Sequence, residues 1–270
     1  MDAFELALST VPPQQKCVER CEHPKIGRET TVYVGVLTHP LHDREPLTTL
    51  PESVTGFHFY LGSEALALID AFAKSKHAAT VEHLSVGDSS YGFGRGRDYA
   101  AIVESLRGGF FPSLRSLGLG VWELFCNSHC MFGKLGDITR LFDGMPRLEG
   151  LDLCGCFELT STLTLPALRR LEVVLDDDCT CINGGAISQA AFDNLLCSTM
   201  PSLVDACIDL AVDGGEVVYV FPESFLTGTS FPKLQRVELA GRFAPHACEQ
   251  LRNSELARRT GMQIRLDSSA

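Results

Sequence analysis

The chain repeats a nine-residue phrase, and that repeat leaves few architectures open to it. Phe111-Pro112-Ser113-Leu114-Arg115-Ser116-Leu117-Gly118-Leu119 returns in outline as Met145-Pro146-Arg147-Leu148-Glu149-Gly150-Leu151-Asp152-Leu153. It returns again as Leu165-Pro166-Ala167-Leu168-Arg169-Arg170-Leu171-Glu172-Val173 and as Phe231-Pro232-Lys233-Leu234-Gln235-Arg236-Val237-Glu238-Leu239. Met200-Pro201-Ser202-Leu203, followed by Ala206 and Ile208, is a further copy. Two degenerate copies precede these, Leu50-Pro51 with Val54, Phe57 and Phe59, and Val81 with Leu84 and Val86; Ile264 and Leu266 suggest a last strand. The common pattern is apolar-Pro-x-Leu-x-x-Leu-x-Leu.

The closing Leu-x-Leu alternates with period two, so its leucines face one side of a strand and the intervening residues the other. The proline cannot sit inside a helix and punctuates the approach to each strand. Helical spacing fills the intervals: Tyr99, Ile102, Val103 and Leu106; Leu66, Ile69 and Phe72; Phe192, Leu195 and Leu196; and, on the same reading, Leu135, Ile138, Leu141 and Phe142. Counted between Phe57, Leu84, Leu117, Leu151, Leu171, Ala206 and Val237, the spacings are 27, 33, 34, 20, 35 and 31 residues. The interval of 20 leaves no room for a full helix, whereas the long ones imply inserted loops or longer helices.

Over residues 50–267 this pattern resembles the leucine-rich-repeat family, and it is similar to a group of poorly characterised bacterial cytosolic repeat proteins. Leu148, Leu151, Leu153 and Cys156 fit the family's L-x-x-L-x-L-x-x-N/C core best. Other copies carry Ser89, Trp122, Asp176, Ala211 or Arg242 at the Asn/Cys position, which implies an irregular member without the usual asparagine ladder. The resemblance implies an α/β fold, a leucine-rich-repeat solenoid or horseshoe with a parallel sheet on the concave face and helices and loops on the convex face. Residues 1–270 then form a single domain: an N-terminal cap at 1–49, about seven repeats over 50–243, and a C-terminal cap at 244–270. The cap at 1–49 holds a strand at Val32, Val34 and Val36, and residues 244–260 are read as a closing helix.

The formal charge of −11, from 34 acidic and 23 basic residues, argues against nucleic acid and against an anionic membrane surface. It favours a basic protein partner, although the same charge also serves solubility. No apolar run approaches a membrane-spanning length, and the first residues, Met1-Asp2-Ala3-Phe4-Glu5, do not read as a secretory signal. Eleven cysteines in such a chain read as reduced thiols, which places the protein in the cytoplasm.

Aligning the repeats sorts the outward strand residues into three columns. These are Gly56, His83, Ser116, Gly150, Arg170, Asp205 and Arg236; then His58, Ser85, Gly118, Asp152, Glu172, Cys207 and Glu238; then Tyr60, Gly87, Gly120, Cys154, Val174, Asp209 and Ala240. Candidate partner-binding residues are His58, His83, Asp152, Arg170, Glu172, Asp205, Asp209, Arg236 and Glu238, with Trp122 in the loop after one strand. The alternative for these columns is a solvated strand face, and for Trp122 a place beneath a long loop. The expected function is therefore a protein-binding scaffold, of inhibitor, immunity or adaptor type, and not an enzyme; no catalytic residue, metal ligand or cofactor is assigned.

The alternative is a metal-binding or enzymatic repeat protein using the Cys/His loops at 126–181, where Cys126, His129, Cys130, Cys154, Cys156, Cys179 and Cys181 follow consecutive strands. Their spacing lacks a C-x2-C pair. Gly92-Phe93-Gly94-Arg95-Gly96-Arg97 lacks the order of a phosphate-binding loop, and Asp176-Asp177-Asp178 lacks calcium-loop spacing.

Overall fold

The computed structural model describes residues 2–23, 27–35, 45–51, 53–60, 65–87, 98–120, 133–175, 186–210, 217–259 and 263–268. Each apolar-Pro-x-Leu phrase closes a tight turn. The carbonyl of the apolar residue accepts the leucine N–H three residues on: Phe111 from Leu114 at 3.2 Å, Met145 from Leu148 at 3.3 Å, Leu165 from Leu168 at 3.2 Å, Met200 from Leu203 at 3.1 Å and Phe231 from Leu234 at 3.2 Å. Proline takes the second turn position, where its fixed φ fits and its missing N–H is not needed.

From each turn the chain enters a strand. The strands are β1 (Lys16–His23), β2 (Gly27–Gly35), β3 (Glu45–Pro46), β4 (Gly56–Tyr60), β5 (His83–Gly87), β6 (Ser116–Leu119), β7 (Gly133–Asp137), β8 (Gly150–Glu158), β9 (Arg170–Val174), β10 (Asp205–Asp209), β11 (Arg236–Gly241) and β12 (Gln263–Ser268). They form one 12-stranded open sheet in the order β12-β11-β10-β9-β8-β6-β5-β4-β2-β1-β3, with β7 pairing beside β8. From β2 to β12 every pairing is parallel; β1 is antiparallel to β2 and β3. The strand entries are tied in series. Arg115 O accepts the N–H groups of both Glu149 and Gly150, Glu149 O those of Arg169 and Arg170, Arg169 O those of Val204 and Asp205, and Val204 O those of Gln235 and Arg236.

The register lines up Phe57, Leu84, Leu117, Leu151, Leu171, Ala206, Val237 and Ile264 across the sheet. All of these but Ile264 are buried in one continuous core, with Phe59, Val86, Leu119, Leu153, Val173, Ile208 and Leu239 two residues further along. Burying each large side chain contributes roughly 1.5–3 kcal/mol, and the repeat spreads that gain along the molecule.

Seven helices complete the described residues: α1 (Ala3–Thr10), α2 (Ala65–Ala73), α3 (Lys76–Thr80), α4 (Ala100–Arg107), α5 (Gln189–Leu196), α6 (Glu223–Thr227) and α7 (Pro245–Arg252). α1 and α2 cover the sheet through an aromatic cluster in which Phe4 meets Phe57 at 5.6 Å and Phe72 at 5.2 Å between ring centroids. The interval between β8 and β9 holds no helix, as its short spacing required. None of these helices is long and apolar enough to cross a membrane.

Two sequence readings need correction. The helical spacing of Leu135, Ile138, Leu141 and Phe142 does not make a helix: β7 runs through Gly133–Asp137, and only a 3-10 turn follows at Leu141–Gly144. Glycine is the reason. Gly136 has φ of 75°, and Gly155 on β8, with φ of 126°, lets β7 approach so closely that a Cβ there would stand 2.1 Å from Gly133 O. The closing helix expected over 244–260 is shorter, spanning Pro245–Arg252, with turns from there to residue 259. The strand expected at Val32 and Val34 is β2, preceded by the unforeseen α1 and β1; Val36 lies outside the described residues.

Candidate partner-binding surface

Because the sheet is parallel and in register, the residues between the buried leucines form rows on its other face. One row is Gly56, His83, Ser116, Gly150, Arg170, Asp205, Arg236 and Gln263; the next is His58, Ser85, Gly118, Asp152, Glu172, Cys207, Glu238 and Arg265. Neighbouring members are about one strand spacing, roughly 4.8 Å, apart.

The face changes character along the sheet. Thr31, Ser85 and Asp152 are buried, as are Gly87, Gly118 and Gly120. From β9 onward the positions open: Arg170, Arg236, Gln263 and Arg265 are exposed, and Glu172, Asp205, Cys207, Asp209 and Glu238 are half-buried. His58, His83, Ser116 and Gly150 are half-buried as well, but the fully exposed side chains of these rows lie in the C-terminal third of the face.

Ion pairs organise that third. Arg170 spans two strands, placing Nη2 2.7 Å from Asp152 Oδ2 and Nη1 2.8 Å from Glu172 Oε2. Arg236 grips Asp205 with both arms of its guanidinium, Nε to Oδ1 at 2.8 Å and Nη2 to Oδ2 at 2.5 Å. The Asp205 carboxylate accordingly pushes the Arg236 pKa up. Two of the basic side chains are therefore already engaged by carboxylates of the same face. Five carboxylates, those of Asp152, Glu172, Asp205, Asp209 and Glu238, still outnumber the guanidiniums of Arg170, Arg236 and Arg265.

Cys207 lies at the centre of this arrangement, between Glu172 and Glu238 in its row and between Asp205 and Asp209 on its own strand. Its thiol pKa is raised, first by burial and then by the fields of Glu172, Glu238, Asp209 and Asp205. Four carboxylates act on that thiol and the Arg236 guanidinium is coupled to it with the opposite sign, so negative charge predominates at the middle of the open face.

The candidate residues do not all meet. Asp152, Arg170, Glu172, Asp205, Asp209, Arg236 and Glu238 share β8–β11. His58 on β4 stacks against Tyr33 with ring centroids 4.8 Å apart, and His83 on β5 is half-buried beside Gly56 and Ser116. His83 is three strand steps from Arg170, roughly 14 Å, and His58 four. Asp152, with 12% of its side chain exposed, mainly holds Arg170. Trp122 lies outside the described residues, as do Cys126, His129, Cys130, Cys179, Cys181, the 92–97 glycine-rich stretch and Asp176–Asp178. Of the cysteines in β8, Cys154 is buried, and the Cys156 Sγ lies 3.8 Å from Gly133 O with its pKa raised by burial.

No model of a known protein family matches the chain, and no curated protein is similar to it. A solved structure from Bacteroides fragilis, a structural-genomics target, is similar at 14% identity over 84% of this chain and 79% of that one, with a TM-score of 0.41.

Proposed function

We propose that the chain is a leucine-rich-repeat-type solenoid that binds a basic partner protein, the contact centred on the open face of β9–β11 and the loops adjoining it. The observation that carries this reading is the register, which sets Glu172, Cys207 and Glu238 side by side and Asp205 and Asp209 around them. A rigid sheet holds these charges without ordering cost at the moment of binding, and a negative field both steers a basic partner in and selects against acidic ones. Inhibitor, immunity-type and adaptor roles all fit such a surface, and none of them needs a catalytic group.

The test is affinity capture from the source cell with the wild-type chain and with Glu172→Lys, Asp209→Lys and Glu238→Lys combined. Asp152 is left intact because its burial makes reversal a folding defect. Loss of the captured protein from a triple variant that unfolds at the wild-type temperature supports the reading. Undiminished capture refutes it.

A further inference from the structure

α1 opens in a capping box: Asp2 Oδ1 accepts the Glu5 N–H at 2.8 Å, and Glu5 Oε2 accepts the Asp2 N–H at 3.0 Å. The box uses one oxygen of each carboxylate. The other oxygens turn toward α3, where His77 is held by the cap of its own helix, Ser75 Oγ accepting the His77 N–H at 3.2 Å. The imidazole is further fixed edge-on to Phe4 at 5.7 Å and Phe57 at 5.9 Å between ring centroids. One ligand atom from each of Asp2, Glu5 and His77 lies within 4.8 Å of the others, and among the described residues this is the one place where three such groups converge.

Two atoms at this place lack what buried polar atoms require. Asp2 Oδ2 and His77 Nε2 are both buried without a hydrogen-bond partner, and the His77 side chain is only 11% exposed. His77 Nε2 stands 3.5 Å from Glu5 Oε1, within reach of an ion pair but without hydrogen-bond geometry. Glu5 Oε1 instead receives Lys76 Nζ at 2.7 Å, from a side chain 67% exposed and able to swing into solvent. A cation already visits the site, and the orphaned oxygen and nitrogen beside it stay unsatisfied.

We propose that Asp2, Glu5 and His77 bind a divalent first-row transition-metal ion that clasps α1 to α3. One imidazole nitrogen with two carboxylate oxygens suits zinc or cobalt better than calcium or magnesium, which take oxygen ligands. Ligand atoms around such an ion stand roughly 3.4 Å apart when bonds are near 2.1 Å, so the three groups close in slightly and water completes the shell. The ion satisfies Asp2 Oδ2 and His77 Nε2 together and displaces Lys76 from Glu5.

The test is a Co2+ titration of the full chain followed by visible and near-ultraviolet absorption, with thermal unfolding in chelator as the check on folding. Cobalt held by nitrogen and oxygen lacks the intense thiolate charge-transfer band, so binding at the cysteines is told apart. The expected result is one thiolate-free Co2+ per chain, weakened at least tenfold in His77→Gln and in Asp2→Asn and strengthened in Lys76→Met. Asn keeps the helix cap while removing the charge, so Asp2→Asn decides the matter if His77→Gln fails to fold. The proposal is overturned if the wild-type shows no thiolate-free binding, if both ligand variants bind as well as wild-type, or if Lys76→Met binds no more tightly.

Discussion

Arg170 and Asp152 sit on neighbouring strands with Nη2 and Oδ2 2.7 Å apart, and only the aspartate is buried. The pair gives Asp152 a structural role: a carboxylate pulled out of water is held by a guanidinium that remains half in it. Such a pair is weak support for stability while intact, yet costly to break from the exposed side. Arg170→Ala is expected to destabilise the chain by about 1–2 kcal/mol. Arg236→Ala, whose partner Asp205 is the more exposed carboxylate, should cost less. Urea unfolding of both variants checks the order, and a double-mutant cycle with Asp152→Asn should recover most of the Arg170 loss as coupling.

Leu151 is fully buried between Leu117 and Leu171 in the aliphatic row. Leu151→Ala leaves a void the flanking strands cannot close and should cost about 2–5 kcal/mol. Thermal unfolding measures it. An unchanged melting temperature would contradict the assignment of this row to the core.

Tyr219 is buried, its hydroxyl donating to Ile187 O at 2.8 Å, and burial pushes its pKa up to about 12. A folded-state pKa above the ordinary 10 means that the neutral phenol's contribution is fully present below pH 10 and is lost as pH rises toward 12. Unfolding curves between pH 9 and 12, on the scale of ordinary tyrosine titration, should show a falling slope that Tyr219→Phe flattens. The same slope in both proteins would place the phenol in water.

The carboxylates around Cys207 should draw cations to its thiol. At low salt a positively charged methanethiosulfonate reagent is expected to modify Cys207 about three- to tenfold faster than a negatively charged one, the ratio shrinking as salt screens the field. Peptide mapping isolates this cysteine from the others. Equal rates at low salt would remove the basis for a basic partner.

Much of this was legible in the residues. The Pro-x-Leu-x-x-Leu-x-Leu phrase fixes both the period and which residues face inward, so the rows from Gly56 to Arg236 follow from the sequence alone. The exceptions have local causes. Leu135 to Phe142 keeps helical spacing, but Gly136 takes a left-handed backbone and Gly133 and Gly144 sit where another backbone approaches closely, at Gly155 and Gly109, which disfavours a helix. The burial of Asp152 and its capture by Arg170 depend on which side chain reaches across a strand, which spacing alone does not encode. Asp2-Ala3-Phe4-Glu5 is a capping-box signal within four residues and marks α1 directly; that His77 joins it from 72 residues later is a matter of tertiary packing.

The central claim is that a basic protein docks on the open face of β9–β11, and Cys207 is the reporter built into that face. The decisive measurement is its rate of modification by a small neutral thiol reagent, alone and in complex with the captured partner. Docking on this face predicts strong protection of Cys207 in the complex. Modification at the same rate with the partner bound would contradict it.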